Sequence, residues 1–142
     1  MKTVRDILKA KGHDVWCVSS GATVLDALQL MAEKEVGALV VVDGPNPVGI
    51  ISERDYARKV ILHGRTSPTT LVKEIMNSPV VYTHPNQAIE ECMAIMTDKR
   101  IRHLPVLEEG KLLGIISIGD LVKTIIADQK FTIEQLERYI TG

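Results

Sequence analysis

The chain repeats itself, and the period of that repeat restricts its fold more than any other feature. Val48-Gly49-Ile50-Ile51-Ser52-Glu53-Arg54-Asp55 returns 65 residues later as Leu113-Gly114-Ile115-Ile116-Ser117-Ile118-Gly119-Asp120. The offset holds without a gap from Thr23/Ala88 to Val60/Ile125, matching Met31 to Met96, Lys34 to Lys99, Leu39 to Leu104 and Val41 to Val106. A duplication on this scale in 142 residues predicts two similar halves packed into one unit, not two large independent domains. The expected divisions are 1–66, 67–128 and a C-terminal helix over 129–142.

Each half reads the same way. A short apolar helix leads in, through Val4, Ile7 and Leu8 or through Leu71, Val72, Ile75 and Met76, and an extended piece follows at 14–19 or 80–83. Helices are predicted over about 23–34 and 87–99 from apolar residues at helical spacing, with Asp26, Glu90 and Glu91 favouring the positive ends of the helix dipoles. Next come Ala38–Asp43 and His103–Leu107, too short and too β-branched for helices. A turn then leads into Gly-Ile-Ile-Ser, so each half closes a β-hairpin followed by a helix. The resulting class is α+β, with two β-α-β-β-α repeats and a short link at 64–70. Thr132-Ile133-Glu134-Gln135 matches a capping box, predicting a last helix whose apolar face, with Ile133, Leu136 and Ile140, needs cover.

Composition removes several function classes. A net charge of −1 gives no bulk attraction to nucleic acid or to an anionic membrane, and 4% aromatic content argues against a base-stacking platform. No run approaches the length of a membrane span and no apolar signal core stands at the start, so the expected location is the cytoplasm. Cys17 and Cys92 lack C-x-x-C spacing and read as reduced core or near-core thiols; His13, His63 and His84 lack metal spacing.

The duplicated unit, the Ile-Met-Asn-Ser-Pro-Val-Val stretch from Ile75, Ile101-Arg102-His103-Leu104-Pro105-Val106, and the two Gly-Ile-Ile-Ser-x-x-Asp turns together resemble a pair of cystathionine β-synthase (CBS) domains, the arrangement called a Bateman module. The resemblance covers nearly the whole chain. It implies two repeats packed about a pseudo-twofold axis, with two related clefts that take AMP, ADP, ATP or, less often, NAD or S-adenosylmethionine as regulatory ligands, and no obligatory cofactor. It also implies a homodimer acting on an unidentified regulated protein, without catalysis. A nucleotide-acting enzyme and a ligand-free structural dimerisation module are the alternatives.

Candidate site residues follow from the turns and from where the duplication breaks. Ser52/Asp55 and Ser117/Asp120 form S-x-x-D, which is a helix-capping signature and also a place where a carboxylate can accept from a ribose diol, while the Ser hydroxyl and first helical amides meet phosphate. Arg102-His103 stands where the first half has Gly37-Ala38, and either forms a solvated basic spot at a strand edge or, as the resemblance implies, faces the cleft of Ser117 and Asp120 and meets phosphates there; Gly37 and Ala38 leave room for an adenine ring. Arg54 stands where the second half has Gly119 and either lies on a solvated helix face or reaches a phosphate in the first cleft, with Arg58 and Lys59 as weaker candidates. Trp16 and Val81 align with family positions flanking the adenine, and core packing is their alternative.

Overall fold

A computed structural model describes residues 2–141. The elements in order are α1 (Val4–Lys11), β1 (Cys17–Ser19), α2 (Val24–Lys34), β2 (Ala38–Asp43), β3 (Asn46–Ser52), α3 (Glu53–Lys59), a 3₁₀ turn (Ile61–His63), α4 (Val72–Ile75), α5 (Ile89–Lys99), β4 (His103–Glu108), β5 (Lys111–Ser117) and α6 (Ile118–Thr141). The duplication extends to backbone detail. Both α2 and α5 end on a non-glycine residue in the left-handed conformation, Glu35 and Arg100, each with φ of 55°.

The hairpins pair in the same register, Leu39 with Ile51 and Val41 with Gly49 in one, Leu104 with Ile116 and Val106 with Gly114 in the other. Their turns differ in chemistry. Glu109 and Gly110 both take positive φ, as a type I′ turn demands, whereas Gly44 alone does so before Pro45. The first half adds β1, parallel to β2; the equivalent stretch of the second half makes only the bridge Thr83–Val106, so its predicted first strand shrinks to one residue pair.

The leading helices exchange halves. One core holds Val24, Met31, Leu39 and Ile51 of the first repeat together with Val72 and Ile75 of α4. The other holds Ile89, Met96, Leu104 and Ile116 of the second repeat together with Val4, Ile7 and Leu8 of α1. The bridges Thr23–Leu71 and Thr3–Ala88 repeat this crossing at the backbone. Two equivalent glycines make room for it: a Cβ on Gly49 would lie 2.6 Å from the Asn77 carbonyl oxygen, and one on Gly114 would lie 2.9 Å from Leu8. The halves therefore fold around each other, as the pseudo-twofold arrangement requires.

Two expectations need correction. No separate helix begins at Thr132, because α6 runs unbroken through the 128/129 division and the Thr132 hydroxyl donates back to the Asp128 carbonyl at 3.0 Å instead of capping. Cys92 is buried with the Thr83 hydroxyl 3.4 Å from its sulfur, but Cys17 is exposed at the sheet edge. Among the described residues no helix is long and apolar enough to cross a membrane.

Candidate functional site

Ser52 ends β3 and caps α3. Its hydroxyl accepts from the Asp55 amide at 3.3 Å and donates to Asp55 Oδ2 at 3.0 Å, while the Ser52 amide donates to the same oxygen at 2.9 Å. Asp55 is only 6% exposed, and the chain leading the second repeat reaches it: Asn77 Nδ2 donates to Oδ1 at 3.1 Å and to Oδ2 at 3.3 Å. Lys59 Nζ lies 3.3 Å from Oδ1 and donates also to the Ile75 carbonyl and to Asn77 Oδ1. The capping role is thus realised, and the same carboxylate clasps the two halves.

Asp120 caps α6 in the same manner, with Oδ2 accepting from the Ser117 amide at 2.8 Å and the Ser117 hydroxyl accepting from the Asp120 amide at 3.2 Å. Its cross-half partner is a cation. Lys11, at the end of α1, sits 2.7 Å from Oδ2 and donates to the Ile115 carbonyl as well. Burial pushes this carboxyl up, but the Lys11 hydrogen bond, the Ser117 amide and the Lys11 charge outweigh it and hold it below the ordinary aspartate value.

A cavity of about 360 Å³ opens beside Asp55. Its wall draws on both repeats, with Gly37, Ser52, Arg54 and Asp55 from the first and Arg102 and His103 from the second. Arg102 and His103 are therefore not confined to the cleft of Ser117 and Asp120. Gly37 and Arg102 are equivalent by the repeat and both line this cavity, so it straddles the junction of the halves. Arg58, Lys59, Lys99 and Arg100 complete its cationic lining, with Glu53 and Asp55 opposing them. The Arg102 guanidinium, and then Arg58, hold Arg54 below its ordinary guanidinium value, as like charges converging on one opening must. For His103, burial and then the Lys11 ammonium lower the imidazole pKa, against an opposing pull from Asp120.

The other sequence candidates lie elsewhere. Trp16 stands exposed at the sheet edge, with Lys34 Nζ 4.4 Å from its ring centroid. Ala38 is buried on β2 opposite Ser52, and Val81 packs against the second core. The first amide of each capped helix is also taken: Glu53 N donates to the Gly37 carbonyl at 3.1 Å and Ile118 N to the Arg102 carbonyl at 2.8 Å. Any phosphate in the cavity thus falls mainly to side chains. Sequence reasoning missed Asn77, Lys99, Arg100 and Lys11. For Asn77, Arg100 and Lys11 the signal was available as further breaks in the duplication, since Asn77 stands against Gly12, Arg100 against Glu35 and Lys11 against Met76, whereas Lys99 repeats Lys34 and gave none. Among the described residues no group of three or more His, Cys, Asp or Glu gathers as a metal site.

The geometry of two interlocked repeats with capped acid turns is matched by sequence, since the CBS domain profile fits residues 4–62 and again 72–127. The chain belongs to the CBS domain family. It is 57% identical to a CBS-domain protein of known structure from Burkholderia ambifaria MC40-6, with a TM-score of 0.86 over 90% of this chain and 96% of that one. The CBS domain-containing protein CBSX3, mitochondrial, of Arabidopsis thaliana is 38% identical over 99% of this chain and 72% of its own length. The CBS domain pair of protein MJ0100, crystallised with 5′-methylthioadenosine and S-adenosyl-L-methionine, shares the fold with a TM-score of 0.78 at 22% identity, over 90% of this chain and 98% of that one.

Proposed function

We propose that this CBS pair is a non-catalytic regulatory module that takes a phosphate-bearing adenosine ligand, AMP, ADP, ATP or NAD, in the cavity beside Asp55. The observation that carries the reading is one opening walled by both repeats, with cations contributed from each side and a buried carboxylate at its edge. Arg54 and Arg102 repel one another across it. A polyanion between them relieves that repulsion and links the halves, so it favours the arrangement it binds better and shifts the population toward it. The ribose diol is assigned to Asp55, exchanging for the hydrogen bonds of Asn77 and Lys59. The adenosine ligands crystallised with the MJ0100 pair support the chemical class. The reading includes self-association as a homodimer, a cytoplasmic location and an unidentified regulated protein.

A second reading has its own support. Both acids are already satisfied by their own chain, Asp55 by Asn77 and Lys59 and Asp120 by Lys11, which suits a structural dimerisation module without ligand. A thermal-shift series with AMP, ADP, ATP and NAD separates the two. Stabilisation that grows with ligand concentration, without turnover, is expected and should be lost in Asp55→Ala. No shift with any of the four supports the structural module. Hydrolysis or group transfer overturns the non-catalytic reading.

A further inference from the structure

Past Asp128 the last helix leaves the body of the protein, and residues 129–141 are all exposed. On it Val122, Ile126, Gln129, Ile133, Leu136 and Ile140 recur at alternating steps of four and three. At about 100° per residue they fall within an arc of about 80°, the narrow seam of a coiled coil. Its five apolar members are between 42% and 79% exposed. Leu121 and Ile125 carry the contact with the second core on an adjoining face, so the seam is not used by its own chain.

We infer that this seam is closed by the same helix of a second copy, running antiparallel. The spacing is complementary to itself: with residue 131 of each helix at the twofold axis, Val122 meets Ile140 of the second copy, Ile126 meets Leu136, and Gln129 meets Ile133. The two Gln129 side chains then fall in adjacent layers on either side of the axis, where each amide has the other as a partner of matching chemistry. Charge sets the direction. Lys123, Lys130 and Glu137 form one flank of the seam. Antiparallel pairing brings Lys123 opposite Glu137 of the second copy, twice by symmetry, while Lys130 meets its own copy near the axis, one turn from Glu134 on each helix. Parallel pairing sets this flank against Ile125, Thr132 and Tyr139 and makes no ion pair. Such pairs choose orientation more than they add affinity.

The inference rests on the homodimer proposed above and is independent of the ligand. Light scattering at tens of micromolar protein should give twice the 15.7 kDa chain mass for the wild type. Ile133→Glu/Leu136→Glu should give the single-chain mass with unchanged circular dichroism, since both positions are exposed. In a Cys17→Ser background, Val122→Cys/Ile140→Cys should cross-link copies under mild oxidation while Ile140→Cys alone does not. A monomeric wild type overturns both the seam and the homodimer. A dimer that survives the double glutamate variant overturns the seam alone and transfers the contact to another face, such as that of Ile61 and Leu62. Cross-linking by Ile140→Cys alone overturns the antiparallel direction.

Discussion

Asp55 and Asp120 hold equivalent positions, cap equivalent helices through equivalent serines, and meet different neighbours. Asp55 receives the amide of Asn77 and the ammonium of its own helix's Lys59, and beside it lies a cavity walled by both repeats. Asp120 receives Lys11 from the leading helix of the other repeat, and that ammonium is tied also to the Ile115 carbonyl. The difference separates two layers of design. The repeated residues set the backbone and the caps, while positions that break the repeat, Gly12 against Asn77, Met76 against Lys11 and Gly37 against Arg102, decide what each carboxylate meets.

The largest effect expected from this asymmetry is on ligand affinity. Arg54→Ala/Arg102→Ala should weaken ATP binding about 100-fold, near 2.7 kcal/mol, as loss of two charge-assisted contacts implies, while Asp120→Asn leaves it within about twofold. Calorimetry showing the reverse ranking moves the ligand to the second cleft.

Next in size is the packing of the exchanged leading segments. Gly49→Ala drives a Cβ against the backbone oxygen of Asn77 and should cost about 2–3 kcal/mol. Gly114→Ala meets the movable end of the Leu8 side chain and should cost about 1 kcal/mol. Equal losses in urea denaturation would show that the two crossings are equally tight.

Smaller is the ion pair of the second cleft. Because Asp120 titrates below its ordinary value in the folded state, its contribution is present above the unfolded pKa near 3.8 and is lost as pH falls through the lower folded value. Lys11→Met should therefore reduce stability at pH 5 by no more than about 1 kcal/mol, allowing for solvent screening, and by less as pH falls below 3.8. A loss that is the same at pH 5 and below both pKa values assigns Lys11 to packing alone.

The smallest concerns His103. Its folded pKa lies below the ordinary 6.5, so the folded state binds the proton less well than the unfolded one. Stability should fall as pH drops from 6.5 through the folded value, and His103→Asn should flatten that slope. A phosphate in the cavity favours the imidazolium, so ligand binding should tighten as pH falls toward the lowered folded value. A His103 resonance titrating above 6.5 in the ligand-free protein would break this assignment.

How much of this was legible beforehand divides by the range of the interaction. The hairpins, the helices and the S-x-x-D caps rest on residues within a few positions of each other, and the strand-end serine with its aspartate was readable as a cap and as a site. Thr132 misled because a local capping signal cannot report that the helix already continues through it. Arg102 and His103 were recognised as chemistry beside Ser117 and Asp120, but their lining of the cavity next to Asp55 was not, since nothing in the sequence states that the approach to β4 also walls an opening of the other repeat.

The sequence alone determined the duplication, the order of elements and the family, because those depend on periodicity and on motifs that recur in register. The tertiary structure decided the exchange of α1 and α4 between cores, the convergence of cations from both repeats beside Asp55, and the pairing of Lys11 with Asp120 across 109 positions of chain. Those contacts arise when two apolar faces and two close-approach glycines select one packing. Residues far apart in sequence become neighbours only once that packing is made.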